Sequence, residues 1–252
     1  MLYMNSSRLA VAAAVGLLAV LVPASASATV IELGSTTSKL VAPTCPVGVT
    51  PANCNIVLTQ ATALETIRDS ATYPTTVKKA GVIVAFTVGL SQLDTNRTKA
   101  KADIHYLDSN HGGTTQASIT VLRPKGPKSQ FQWTVVAQSP IFHLQPYLGQ
   151  VVQFPLPVPL AVKPGDAVAL TTPTWAPVLT FQLPPKKFAY RQSRTGNCAN
   201  PASTEQAQLT IGATTAYGCD YPGTRVEYSA TEVTNPVQTK NYVHAPDFGA
   251  GR

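Results

Sequence analysis

Short β-rich runs broken by turn residues repeat along the chain from residue 56 onward, and in several of them apolar and polar residues alternate. In residues 208–211, for example, Leu209 and Ile211 point to one side of an extended backbone and their polar neighbours to the other. A period of two is typical of a half-buried β-strand. The clearest predicted strands are residues 82–88, 118–122, 133–137, 151–154, 167–172, 208–211 and 225–228.

Turn-forming residues separate these runs. The sequence Lys163-Pro164-Gly165-Asp166 has Pro and Gly where a type II turn favours them, so we expect a hairpin between residues 160–162 and 167–170. The best helix candidate is residues 61–68, which carry an apolar side chain at every third position. Two helical turns are too few to be stable alone, so we expect a single turn or an irregular strand there.

Many short strands without alternating helices predict an all-β fold, a β-sandwich of the jelly-roll type with two disulfides in its loops. The 21 prolines agree, because proline interrupts long helices. We expect a polar lead-in with the first cysteine loop at residues 29–55. The sandwich domain follows at residues 56–233, and a loosely held tail at residues 234–252.

The first 28 residues predict a secretory signal peptide. Arg8 precedes an unbroken apolar run at residues 9–22, and Ala26-Ser27-Ala28 supplies the small residues that signal peptidase requires. The run is shorter than the roughly 20 residues that span a bilayer, so an anchor helix is the less favoured alternative. We therefore expect an extracellular, secreted protein that does not insert into a membrane.

Four cysteines follow the predicted signal peptide: Cys45, Cys54, Cys198 and Cys219. An even number in an oxidising compartment predicts two disulfides, and three pairings are possible. We favour Cys45–Cys54 and Cys198–Cys219, because each pair brackets a local loop rich in turn-forming residues. A zinc site is the alternative, but these spacings match no CxxC pattern.

The charge of the chain changes the list of expected partners only slightly. Nineteen Lys and Arg against 12 Asp and Glu give +7, and removal of residues 1–28 takes away only Arg8, which leaves +6. This charge is too dilute to indicate a nucleic-acid partner. It is compatible with weak attraction to anionic cell-wall polymers.

Trp175 is the strongest candidate for ligand binding. Pro173 and Pro177 flank it, and an indole held exposed by this bracket could stack on the face of a sugar ring. The alternative is that Trp175 packs in the core, as large aromatic side chains usually do. Trp133, inside an apolar strand, is predicted to be a core residue.

His105, Asp108 and His111 are weak candidates for metal ligands, since a strand and a following turn could bring them together. The alternative is an ordinary turn at residues 110–113. The sequence indicates no cofactor. It also has no GxSxG, HExxH or phosphate-binding glycine motif. A glycosidase requires two opposed carboxylates, and no spacing selects a pair among Glu65, Asp69, Glu227 and Glu232.

Several stretches resemble a group of secreted actinobacterial proteins that have no assigned function. They are residues 118–124, 133–140, 145–150 and 162–170, and the segment around Trp175. The resemblance implies a bacterial, exported β-domain and carries over no catalytic or ligand-binding residue. We favour a non-catalytic binding module for glycan or another cell-envelope ligand. The alternatives are a structural envelope component and, less favoured, a secreted hydrolase.

Export gives the first testable prediction. Because the small residues end at Ala28, the secreted protein is expected to begin at Thr29, and N-terminal sequencing of protein from the culture medium measures this directly. A first residue upstream of Pro23, or retention in membranes after a carbonate wash, would contradict cleavage.

Overall fold

The computed structural model describes residues 28–50, 53–127, 130–194, 198 and 207–234. Fifteen β-strands and one α-helix lie within these residues. The predicted signal peptide, except for Ala28, and the predicted tail after Thr234 lie outside the described residues. Within the described part of the chain, no helix is long and apolar enough to cross a membrane.

A four-stranded antiparallel sheet forms the first layer. In spatial order its strands are β1 (Thr29–Leu33), β15 (Tyr228–Thr234), β4 (Gly81–Gly89) and β8 (Val151–Val162). The sandwich therefore begins at β1, inside the predicted lead-in, and the predicted start at residue 56 is wrong. The partner of β1 lies at the far end of the sequence, which no local pattern reveals.

A nine-stranded sheet forms the second layer. Its main path is β12 (Thr214–Ala216), β6 (Gln132–Gln138), β5 (Gln116–Lys125), β9 (Ala167–Ala176), β2 (Leu58–Arg68), β11 (Phe188–Gln192) and β13 (Cys219–Pro222). Two short strands extend it: β3 (Ala71–Thr72) pairs with β2, and β7 (Phe142–His143) pairs with β5. A separate two-stranded ladder joins β10 (Leu179–Thr180) to β14 (Arg225–Val226).

The apolar core lies between the two large sheets. Phe86 and Tyr228 enter it from the four-stranded sheet, and Val168 and Leu170 of β9 enter it from the other sheet. The alternate β9 residue Ala169 belongs to a second cluster with Leu64, Leu122, Trp133 and Tyr217. Since neighbouring strand residues point to opposite faces, this second cluster covers the outer face of the nine-stranded sheet. The all-β sandwich prediction is confirmed, and the jelly-roll connectivity stays a prediction.

Most of the predicted strands are confirmed, since five of them fall within β4, β5, β6, β8 and β9. Residues 225–228 are divided between β14 and β15. The strand predicted at residues 208–211 is wrong: this segment bends into a turn, and Leu209 and Ile211 are exposed. The turn forms because Gly212 has a positive φ of 87° and donates its N–H to Val135.

The turn at residues 163–166 is confirmed, but the hairpin is wrong. The N–H of Asp166 donates to the carbonyl of Lys163 at 3.0 Å, and Gly165 has the positive φ of 91° that a type II turn requires. The two strands that the turn joins, β8 and β9, lie in different sheets. The turn therefore crosses from one layer to the other. Residues 61–68 are part of β2, whose pairing with β11 shifts register between Glu65 and Ile67, so the irregular strand is confirmed.

One helix, α1 (Arg97–Asn110), occupies the region predicted as strand and turn. Asn96 begins it, since the Asn96 side chain accepts hydrogen bonds from the N–H groups of Thr98 and Lys99 at 3.0 and 3.2 Å. Only Leu107 is buried, so the helix lacks the apolar stripe by which an amphipathic helix is usually predicted. A short 3₁₀ helix follows at Gln145–Tyr147.

Both predicted disulfides are confirmed. Cys45 bonds to Cys54 with their Cα atoms 5.5 Å apart, and Cys198 bonds to Cys219 with a Cα separation of 5.4 Å. Each closes a local loop, and the second joins Cys198 to Cys219, the first residue of β13.

A buried arginine joins the two layers. Arg68, the last residue of β2, forms an ion pair with Glu65 at 2.9 Å. Its guanidinium also donates to the carbonyl of Tyr228 at 3.0 Å, of Val226 at 2.7 Å, and of Gly34 just after β1. One side chain of the nine-stranded sheet thus binds backbone groups of the four-stranded sheet and of the two-stranded ladder.

We predict that Arg68→Met lowers the free energy of unfolding by about 3–5 kcal/mol, because it leaves the Glu65 carboxylate buried without its partner. Urea denaturation measures the loss. Arg97→Met is the matched control, since Arg97 is exposed at the start of α1 and is expected to change stability by about 0.5 kcal/mol or less. Equal midpoints for the two variants would show that the buried network is dispensable.

Candidate functional site

Trp175, predicted as an exposed sugar platform, is completely buried at 0% exposure. It pairs with Thr59 inside the nine-stranded sheet, and its Nε1 donates to Oδ1 of Asp108 and to the carbonyl of Gly113, both at 3.0 Å. The flanking prolines do not lift the segment from the sheet, because β9 continues through Pro173 as far as Ala176. The binding role is therefore wrong, and the alternative of a core residue is confirmed.

The three candidate metal ligands lie on α1 or at its end. Successive residues of an α-helix are rotated by about 100°, so His105 and His111 face different directions. Asp108 accepts hydrogen bonds from Trp175 and from Nε2 of Gln145. In the part of the chain that the structure describes, no three His, Cys, Asp or Glu side chains come together in a possible metal site. The expected convergence of these residues is wrong.

Two of the candidate catalytic carboxylates, Glu65 and Glu227, have structural partners. Burial raises the pKa of Glu65 to about 8, although the Arg68 guanidinium opposes this shift. Glu227 is also completely buried and forms an ion pair with Arg225. A substrate could reach neither carboxylate unless the sandwich opened. Glu65 and Glu227 therefore do not form the exposed pair of carboxylates that the hydrolase alternative requires.

A different site is a surface cavity of about 340 Å³ beside the outer cluster of the nine-stranded sheet. We call it the aromatic cleft. Three aromatic side chains line it, Tyr73, Phe131 and Trp133, together with Lys78 and Lys125. The remaining lining residues are Thr72, Thr76, Pro124, Gly126, Pro127, Gln132 and Gly165.

Two of the three aromatic residues have a backbone conformation that is rare for bulky side chains. Tyr73 has φ of 47° and Phe131 has φ of 48°, both in the left-handed region. Hydrogen bonds hold each of them: the N–H of Tyr73 donates to Thr66 at 2.8 Å, and the carbonyl of Phe131 accepts from Tyr217 at 2.9 Å. Strain of this kind costs about 1–3 kcal/mol per residue and concentrates at functional sites.

The rings of the cleft are fixed by their neighbours. The Arg191 guanidinium lies 3.6 Å from the centre of the Phe131 ring. It is itself held by the carbonyl of Tyr217 at 3.2 Å and by the carboxylate of Asp220 at 3.4 Å. The Tyr73 and Trp133 rings lie 6.1 Å apart and are tilted by 42°. The aromatic surface is thus formed before any ligand arrives.

The turn at residues 163–166 forms another wall. The Asp166 carboxylate accepts two hydrogen bonds from Arg123, at 2.8 and 2.9 Å, and one from the N–H of Lys163. The backbone of this turn is bonded to Val77 in both directions: the N–H of Val77 donates to Asp166 at 2.8 Å, and the N–H of Gly165 donates to Val77 at 3.0 Å. These bonds fix Lys78, the next residue, beside the turn.

The cleft carries positive charge. Lys78 and Lys125 are exposed, and neither forms an ion pair with any described residue. None of the described lining residues is Asp or Glu. Partial burial raises the pKa of Tyr73 above its usual value, although Arg191 opposes the shift, so the phenol is protonated at neutral pH. The cleft therefore combines aromatic faces, a phenol hydroxyl and two ammonium groups.

A second cavity of about 540 Å³ lies beside β11 and β13. Three aromatic residues line it: Tyr190 and Tyr221 are stacked on each other at 4.9 Å with Tyr190 buried, and Phe181 is the third. The Arg194 guanidinium is bonded to Gln192 and to the Tyr221 hydroxyl. Because these groups bind one another, this cavity is a weaker candidate than the aromatic cleft.

The sequence analysis did not select Tyr73 or Phe131, and it assigned Trp133 to the core. Phe131 and Trp133 are close in sequence, around the start of β6, whereas Tyr73 follows β3. The pairing of β3 with β2, β2 with β9, β9 with β5 and β5 with β6 brings the two segments together. The available sequence signal was an aromatic residue next to turn-forming residues, as in Tyr73-Pro74, and this pattern is common in loops.

The buried position of Trp175 gives a prediction about stability. Trp175→Ala is expected to lower the free energy of unfolding by about 3–5 kcal/mol, because it leaves a cavity and removes the hydrogen bond to Asp108. Urea denaturation checks this value, and Tyr106→Ala, on the exposed face of α1, is the control with little expected loss. Nearly unchanged stability in Trp175→Ala would contradict the core position.

Known proteins add no functional residue to those of the cleft. The chain matches no protein-family model, no curated protein sequence and no solved structure. The choice of a functional site therefore depends on the geometry and charge of the aromatic cleft.

Proposed function

We propose that this is a secreted, non-catalytic binding protein whose aromatic cleft holds a sugar residue of a cell-envelope glycan. The observation that carries the proposal is the set of three aromatic side chains, two of them on strained backbone, around a single surface cavity. Trp175 has no part in it.

The chemistry of the cleft suits a sugar. A pyranose ring has an apolar C–H face and a polar edge, so it packs on an aromatic ring while its hydroxyls bind polar groups. Tyr73 and Gln132 provide such groups beside the rings. The volume of about 340 Å³ lies at the lower end of the range of small-molecule sites. We infer that one sugar unit enters the cleft and that the rest of the chain extends over the surface.

A non-catalytic role agrees with the lining residues. Hydrolysis of a glycosidic bond normally requires two carboxylates on opposite sides of the bond, and the described lining residues include none. A purely structural role, the second candidate, requires only the sandwich and its disulfides. It gives no reason for two aromatic residues to be held in a strained conformation, so we favour binding.

Secretion is part of the same proposal. It rests on the predicted signal peptide, and the two disulfides agree with it, because disulfides persist mainly in oxidising compartments. Glycans of the cell envelope are present in that compartment.

The test is a glycan array with the mature protein, followed by calorimetric titration of the strongest soluble oligosaccharide. We expect Phe131→Asn to weaken binding by about 1–2 kcal/mol, or about five- to thirtyfold, because it removes one stacking face. Asparagine tolerates a positive φ, so the backbone of the loop is preserved.

Tyr106→Asn is the control for this measurement, since it removes an exposed aromatic residue from α1, outside the cleft. Its affinity is expected to equal that of the unaltered protein. If Phe131→Asn folds normally and binds glycan as tightly as the control, the cleft is not the binding site.

A further inference from the structure

We propose that the sugar in the aromatic cleft is acidic and that Lys78 and Lys125 bind its carboxylate. This inference rests on the proposed function and adds the class of ligand. It starts from the charges of the cleft, which are two ammonium groups and no carboxylate among the described lining residues.

The nearby acidic groups do not neutralise these lysines. Asp166 is bonded to Arg123 by two hydrogen bonds, and Asp220 forms an ion pair with Arg191. Each of these carboxylates thus has an arginine partner of its own. Among the described residues, the two lysines thus have no ion-pair partner, and they leave positive charge at the mouth of the cleft.

The lysines come from segments with a fixed backbone. Lys78 follows Val77, which is bonded in both directions to the turn at residues 163–166. Lys125 is the last residue of β5 and pairs with Gln132 at the start of β6. Only the flexible side chains remain to be ordered by a ligand. A lysine acts as a mobile point charge, so it binds a carboxylate without strict geometry.

The aromatic faces and the charge select the ligand together. A neutral sugar would stack on the rings but leave both lysines unpaired. An anionic polymer without rings would pair with the lysines but gain little from Tyr73, Phe131 and Trp133. A pyranose ring that bears a carboxylate uses both features. Phosphate could supply the same negative charge, and the experiment distinguishes it from a carboxylate.

The experiment uses pairs of probes that differ in charge. The first pair is an oligogalacturonide and its methyl ester. The second is chitotetraose and the tetrasaccharide in which N-acetylmuramic acid alternates with N-acetylglucosamine. We expect the unaltered protein to bind the acidic member of at least one pair about five- to twentyfold more tightly at low salt. This corresponds to about two- to fivefold for each exposed ion pair.

Salt and substitution then identify the source of the preference. In 0.5 M NaCl the preference for the acidic probe is expected to fall to about twofold or less, because exposed charges are screened within a few ångströms. The double variant Lys78→Gln, Lys125→Gln is expected to lose the preference and to keep its affinity for the neutral probe. The control Lys99→Gln, Lys101→Gln removes the same charge from α1 and is expected to keep the preference.

Three results would overturn the inference. In the first, the protein binds both members of each pair with equal affinity, and Phe131→Asn weakens the binding of both. This result would support the sugar site but reject its specificity for an acidic sugar. In the second, poly(glycerol phosphate) binds more tightly than the acidic saccharide probes, and Phe131→Asn does not change its affinity. This result would assign the lysines to phosphate rather than to an acidic sugar. Failure to bind any saccharide probe rejects the proposed function and this inference with it.

Discussion

The fold and the cleft both depend on the buried guanidinium of Arg68. A buried charge is costly unless its donors are satisfied, and here a carboxylate and three backbone carbonyls satisfy them. These partners come from both sheets and from the two-stranded ladder, so one side chain links the layers. Because Arg68 ends β2, the same contacts fix the point at which the chain leaves the sheet and turns towards Tyr73. A residue of the core thereby determines the position of a residue of the surface site.

The strained residues after β2 follow from that fixed end. Asp69, Ser70 and Tyr73 all have positive φ, so the chain reverses sharply over five residues. The Asp69 carboxylate accepts hydrogen bonds from Thr36 and Ser38, which hold the reversal from the side of β1. The strain is thus balanced by bonds to a distant segment, and it places the Tyr73 ring against Trp133. The cleft is a product of long-range pairing, which gives it a rigidity that a free loop would lack.

The sequence predicts well those features that short stretches determine. The pattern of short β-rich runs between turn residues located β4, β5, β6, β8 and β9, and the short separation within each cysteine pair selected both disulfides. It failed where the outcome depends on a distant partner. β1 was assigned to the polar lead-in, but β15 pairs with it along its whole length. Residues 208–211 alternate like a strand but bend into a turn. The cleft was missed for the same reason, since Tyr73 becomes a neighbour of Phe131 and Trp133 only when β2, β9, β5 and β6 are assembled.

Two unusual features of the sequence, the tryptophan between prolines and the acidic residue near two histidines, have one common explanation. The Nε1 of Trp175 donates to Asp108, and this bond ties a mostly exposed helix to the end of the central strand β9. With only Leu107 buried, α1 has little apolar surface of its own to hold it there. A hydrogen bond from a buried indole to a carboxylate supplies the missing attachment, because such a charge-assisted bond is stronger than a neutral one. Each residue was singled out correctly as exceptional, and each acts by orienting the other.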